Sequence, residues 1–152
     1  MFLFVWISIK SLGAQGQDIW LTKTGEIRFF SSTPVEDIEA ENKAVTCIFK
    51  TETGELAFKV LMKSFMFDRA AMQQHFNDDY LHTDEFPKAT FSGTIGDYEK
   101  IDLTVDAVHE VNVNGELTIH GVNNTVSEPG TIEVRDGRIH LDAVFVIQLP
   151  EY

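Results

Sequence analysis

The sequence predicts an all-β fold: an antiparallel sheet that curls or closes around its one dry face. Three observations lead there. Apolar residues fall on every second position in a series of short segments. The clearest is Ile139, Leu141, Ala143, Phe145, Ile147 and Leu149, with His140, Asp142 and Gln148 among the residues between. Such alternation turns one face of a strand to a core and the other to water. Turn signals separate the segments, Thr51-Glu52-Thr53-Gly54 and Asp136-Gly137 among them, and these are hairpin chemistry. Only one stretch carries convincing helical spacing. Several alternating strands in series must curl or close to cover their dry faces.

Taken in order, Thr24-Gly25 opens a strand in which Ile27 and Phe29 alternate with Glu26 and Arg28, and Ser31-Ser32-Thr33-Pro34 ends it. The acidic stretch 36–42 reads as a loop or short helical turn. It lacks the central Gly and terminal Glu of a calcium loop. Strands near 43–51 and 55–66 follow, with Val45, Cys47 and Phe49 on one face of the first. Leu56, Phe58, Val60 and Met62 share a face of the second. One short helix is expected near 68–79. Asp68 stands where an N-cap should, and Phe67 and Met72 have the spacing of a hydrophobic staple. Met72, Phe76 and Tyr80 make a stripe that must lie against an open end of the sheet. Ala89, Phe91, Gly93 and Ile95 form the inward parity of a fourth strand, and residues 101–105 read as strand or wide turn. A long fifth strand keeps Val111, Val113, Leu117 and Ile119 on one parity across Gly115, which signals a bend or bulge. Glu128-Pro129-Gly130 precedes a sixth strand with Ile132 and Val134. The seventh is the segment from Ile139.

The 152 residues suit one domain, and a net charge of −12 without a basic stripe argues against nucleic acid. Residues 2–9 form an apolar run too short to span a bilayer, followed by Lys10 and the small residues of 11–17. This reads as a secretory signal over 1–16, cleaved after Ala14 or Gly16, although no basic residue precedes the run. The alternative is a buried first strand. Export would make the protein periplasmic or secreted. The single Cys47 lies mid-chain, so no lipid anchor is expected at the signal junction, and its parity makes it a small buried hydrophobe. His82 with Asp78, Asp79, Asp84 and Glu85 invites a metal, but the spacing fits no common ligand set, so no metal is expected. No nucleophile elbow, His-Glu-x-x-His motif, phosphate loop or cysteine pair is present, so no catalytic residue is proposed. By parity His109 points inward, while His120 and His140 point outward.

Three blocks together resemble the YceI-like family of exported, lipocalin-like polyisoprenoid-binding proteins. They are Lys63-Ser64-Phe65-Met66-Phe67 with Met72 and His75-Phe76; residues 85–93, Glu-Phe-Pro-Lys-Ala-Thr-Phe-Ser-Gly; and residues 113–122, Val-Asn-Gly-Glu-Leu-Thr-Ile-His-Gly-Val. The resemblance extends over 19–150, and Asn123-Asn124-Thr125 depart from it. It implies an antiparallel eight-stranded lipocalin-like barrel, occupying 17–152, with a helix beside it and an isoprenoid or similar lipid in the lumen. Seven strands are readable, and the eighth, C-terminal one is expected to be missing. The unpaired sheet edges would then favour self-association. The lumen would be lined by Phe29, Phe49, Phe58, Val60, Met62, Phe91, Leu117, Ile119, Leu141, Phe145 and Ile147. No cofactor is expected beyond that apolar, lipid-like ligand. The alternative is a filled core in an envelope interaction or scaffold protein.

Overall fold

The computed structural model describes residues 2–14, 18–148 and 151–152, and in the first segment it describes side chains at Phe4 and Val5 only. The described residues form β1 (Phe2–Ala14), β2 (Ile19–Ser32), β3 (Asp37–Lys50), β4 (Glu55–Leu61), β5 (Met66–Phe67), α1 (Ala70–His75), β6 (Lys88–Ile95), β7 (Ala107–Ile119), β8 (Val122–Arg135) and β9 (Arg138–Gln148). Eight of the strands close an antiparallel barrel in the order β2-β1-β9-β8-β7-β6-β4-β3, with β3 pairing back onto β2. The two-residue β5 adds to β3, setting Phe67 opposite Ala40.

The closing strand is the main difference from the sequence pattern, which left an eighth strand missing. It is β1, seated between β2 and β9, with Phe4 opposite both Phe30 and Val146. Its apolar residues run unbroken instead of alternating, so periodicity did not mark it as a strand. The same residues carry the leader reading, and strand pairing is the alternative stated for them. Gly16, one of the two cleavage positions, and Leu149 lie outside the described residues.

Elsewhere the inward parity holds. Val45, Cys47 and Phe49 of β3 are buried together, as are Leu56, Phe58 and Val60 of β4. The acidic stretch is a correction, because Asp37–Asn42 is strand, not loop. Ile38 and Ala40 turn inward while Glu39 faces solvent, and Glu41 pairs with Arg28 across the ladder at 2.8 Å. Alternation was present there but carried by one Ile and one Ala, too weak to outweigh the charges. Asn42 is buried where the β3 parity shifts. Its Nδ2 donates to Leu61 O at 2.9 Å and its Oδ1 accepts from Ala44 N–H at 2.9 Å, satisfying the polar groups of the irregularity.

Pro129 also lies inside a strand, not before one. It stands opposite Asn112, whose carbonyl accepts from Gly96 N–H on the far side at 2.8 Å. The backbone groups of that pair therefore point away from each other, and the proline nitrogen faces the side of β9. There β8 and β9 have already parted, since their pairing runs only from Gly130–Ala143 to Arg135–Arg138. No ladder bond is lost, which is why the position tolerates proline. Residues 101–105 are turn rather than strand.

Gly115 marks a close approach, with no register shift. It faces Gly93 across β6 and β7, and the Phe91 ring lies over both. A Cβ at Gly93 would stand 2.1 Å from Asn114 O and 2.7 Å from the Phe91 ring. Gly93→Ala is therefore expected to destabilise the protein by about 1–3 kcal/mol, read as a lower urea midpoint at unchanged slope.

Candidate functional site

The barrel interior is the candidate site. At mid-height Phe58 and Phe91 stack at 4.9 Å, and Phe145 meets both edge-on at 6.0 and 5.5 Å. A second aromatic group closes one end. There Phe29 of β2 stacks on Phe76 at 5.5 Å and meets Phe65 and Phe67 at 5.4 and 5.5 Å. At the other end Phe49 meets Tyr98 edge-on at 6.0 Å, and Tyr98 donates to Thr51 O. Burial pushes the Tyr98 hydroxyl above its ordinary range.

Between the first two groups lies a cavity of about 50 Å³, lined by fourteen side chains, all of them apolar. Of the predicted lumen residues, Phe29, Phe58, Val60, Met62, Leu117, Ile119, Phe145 and Ile147 line it. Leu141 lines a second void of about 30 Å³ beyond the Phe58–Phe145 contact. Phe91 and Phe49 are buried and pack against these walls without lining the larger cavity. An apolar protein cavity that takes up benzene measures about 150 Å³, so the interior in this form is close to filled. A concavity of about 1440 Å³ is an open trough with Asp97, Lys100, Glu110 and Asp142 on its walls beside Ile101, Val111 and Val144. Open to solvent and mixed in character, it gives an apolar chain no enclosure.

Val5, Ile27 and Ala89 of the wall strands complete the lining, together with a cap, residues 62–86, that runs from β4 to β6 and presents Met62, Phe65, Phe76 and Leu81 inward. Its helix is shorter than the pattern suggested. Asp68 is not the N-cap: α1 begins after Arg69, which has extended backbone and no capping side chain. The ladder between β5 and β3 keeps the chain extended through Phe67, and Arg69 pairs with Glu36. After His75 the chain winds as a π turn, Phe76–Tyr80, closed by Leu81 N–H on Phe76 O at 3.1 Å. The wider turn rotates Tyr80 out to solvent and Leu81 into the core. The stripe therefore reads Met72, Phe76, Leu81, and Leu81 was missed because spacing by four does not anticipate a five-residue step.

Polar contacts brace the cap internally and join its two ends. Lys63 pairs with Asp84, buried Thr83 donates to Asn77 Oδ1 at 3.1 Å, and Met62 N–H donates to Pro87 O at 2.9 Å. His82 reaches His120 in the β7–β8 turn, a meeting of two dispersed histidines that sequence reasoning did not foresee. His109 is half-buried on inward parity, as expected, and its Nε2 has no partner among the described residues.

The YceI-like domain model matches residues 21–152. The chain belongs to the YceI-like domain family. Among solved structures, it is similar to a polyisoprenoid-binding domain from Saccharophagus degradans implicated in plant cell wall breakdown. Identity there is 11% over 95% of this chain and 92% of the other, with a TM-score of 0.58. A YceI protein of Campylobacter jejuni is 21% identical over 67% of this chain and 59% of its own, with a TM-score of 0.49. No curated protein matches the sequence. The first likeness supports the same barrel fold for this YceI-like domain.

Cys47, fully buried in β3 of this domain, has its thiol pushed by burial from 9.0 up to about 12. Unfolded, the thiol ionises near 9.0, so its contribution to stability is complete below that pH and is lost as pH rises towards 12. Stability measured by urea titration should fall across that window, and Cys47→Ala should flatten the fall. Native protein should resist thiol reagents until denaturant is added.

Proposed function

We propose that this YceI-like domain is an exported, non-catalytic binding protein that holds an isoprenoid or similar long apolar molecule in the barrel. One observation carries the reading: an internal cavity lined throughout by apolar groups, part of whose wall is the cap rather than a barrel strand. A core filled only for stability could be equally apolar. What favours a ligand is that the cavity sits directly under a separable segment, with Phe65, Phe76 and Leu81 as the groups that would yield. The polyisoprenoid-binding domain of Saccharophagus degradans supports the ligand class. Each buried CH₂ contributes about 0.8 kcal/mol before ordering costs, so a few isoprene units would offset displacement of these side chains. At about 50 Å³ the cavity cannot receive such a chain unless the cap moves outward.

That small volume favours a second reading, a scaffold with a filled core and no ligand. Native mass spectrometry and organic extraction of purified protein separate the two. The carrier reading expects a co-purifying lipid mass, lost in Phe58→Asp while far-ultraviolet circular dichroism keeps its β-sheet signature. Protein that is lipid-free after purification and takes up no added isoprenoid would leave the scaffold.

Export rests on the apolar run 2–9 and the small residues after it. Removal of 1–16 would also remove β1 and leave the edges of β2 and β9 unpaired, which is the circumstance that would favour self-association. Intact-mass measurement of the exported protein should show loss of the first 14 or 16 residues, and light scattering should show the processed chain associating. An unprocessed mass in the exported fraction would count against a cleaved leader.

A further inference from the structure

A histidine pair joins the cap to the barrel wall. His82 Nδ1 and His120 Nε2 lie 2.8 Å apart. The ring planes are within 15° and the centroids 5.0 Å apart. With the facing nitrogens that close, the rings meet end to end rather than face to face. The contact is therefore a near-linear N–H···N hydrogen bond. Both residues hold left-handed backbone, φ 44 at His82 and φ 54 at His120, a conformation that non-glycine residues enter at a cost. Phe86 sets its edge against His120 at 4.7 Å and 74°. A Cβ at Gly121 would stand 2.7 Å from the Phe86 ring. The surroundings thus fix the pair's geometry from both sides.

The tautomers follow from the partners. His120 Nδ1 lies 3.3 Å from the backbone oxygen of Tyr152, which can only accept, so Nδ1 carries the proton. Neutral His120 then presents a bare Nε2, and His82 Nδ1–H donates to it. One extra proton is tolerated: doubly protonated His120 donates to a neutral His82. A second is not, because two N–H groups on two cations would then face each other with no acceptor between them. The other ionisable groups nearest the pair in the cap and the β7–β8 turn are His75, bonded to Asp79; Asp78; Tyr80; Asp84, paired with Lys63; Glu85; and Glu116, bonded to Asn123, with Glu151 and Tyr152 beside them. None of them supplies an acceptor between the two facing ring nitrogens.

The position gives the pair its leverage. His82 follows Leu81 and His120 follows Ile119, and both of those neighbours line the cavity. We propose that His82 and His120 form a proton-operated clasp on the cap, closed while at most one ring is protonated and open when both are, so that acidification exposes the barrel interior. Its purpose, admission or release of an apolar ligand, rests on the function proposed above; the opening itself does not. Histidine is the side chain whose ordinary charge change falls between about pH 5 and 8, which sets the range to test.

Hydrogen exchange on the full chain tests it at about pH 7.5 and about pH 5, corrected for intrinsic rates and followed over residues 70–86. Wild-type protein should lose cap protection roughly five- to tenfold on acidification, the worth of one hydrogen bond, while β6 and β7 stay protected. His82→Asn, which tolerates the left-handed backbone, should exchange fast in the cap at both pH values; His120→Asn should do the same. Cap protection that is equal at both pH values in wild type, or unchanged in both variants, would overturn the clasp. Uptake of the apolar probe N-phenyl-1-naphthylamine by the same samples separates the two proposals. A cap that opens on acidification yet admits no probe supports the clasp and removes the ligand.

Discussion

Three rings at the middle of the barrel, Phe58, Phe91 and Phe145, set the terms for everything around them. Their mutual packing is possible because Gly93 and Gly115 face each other without side chains, so that Phe91 can lie along the wall. Stacked and edge-on aromatic contacts contribute about 0.5–1.5 kcal/mol each beyond the area they bury. The same rings divide the interior into a void of about 50 Å³ under the cap and one of about 30 Å³ at the far end. The free volume on either side follows from where these rings sit.

The cap contrasts with that rigid centre. Its helix buries no residue of its own; its inward side chains are Met62 of a 3₁₀ turn (Met62–Ser64), Phe65 just after it, Phe76 of the π turn and Leu81 at that turn's end. Short helices are marginal alone and depend on what holds their ends. Here the Arg69–Glu36 pair, the β5–β3 ladder and the histidine contact join the segment to the barrel. Its underside is apolar and its polar links to the wall strands are few, so its attachment rests chiefly on the burial of Met62, Phe65, Phe76 and Leu81.

Parity was legible wherever a strand has one dry face. All eleven predicted lumen residues are buried, because alternation is a local property that survives any arrangement of the strands. Four features were not legible. Continuous apolarity in residues 2–9 is compatible with a wall strand and with a leader. Charges in 36–42 hid the alternation of Ile38 and Ala40. Pro129 looked like a boundary, since only the parting of β9 from β8 makes its missing N–H harmless. Leu81 was hidden by a turn of five residues where four were assumed.

The all-β class, the hairpin positions and the inward faces are legible in the chain, because each is written in spacing or in local turn chemistry. How the barrel closes, how little space its aromatic rings leave, and that His82 meets His120 across 38 positions emerge only once the strands are assembled. Those outcomes depend on distances between segments remote in the chain, and no local pattern encodes such distances.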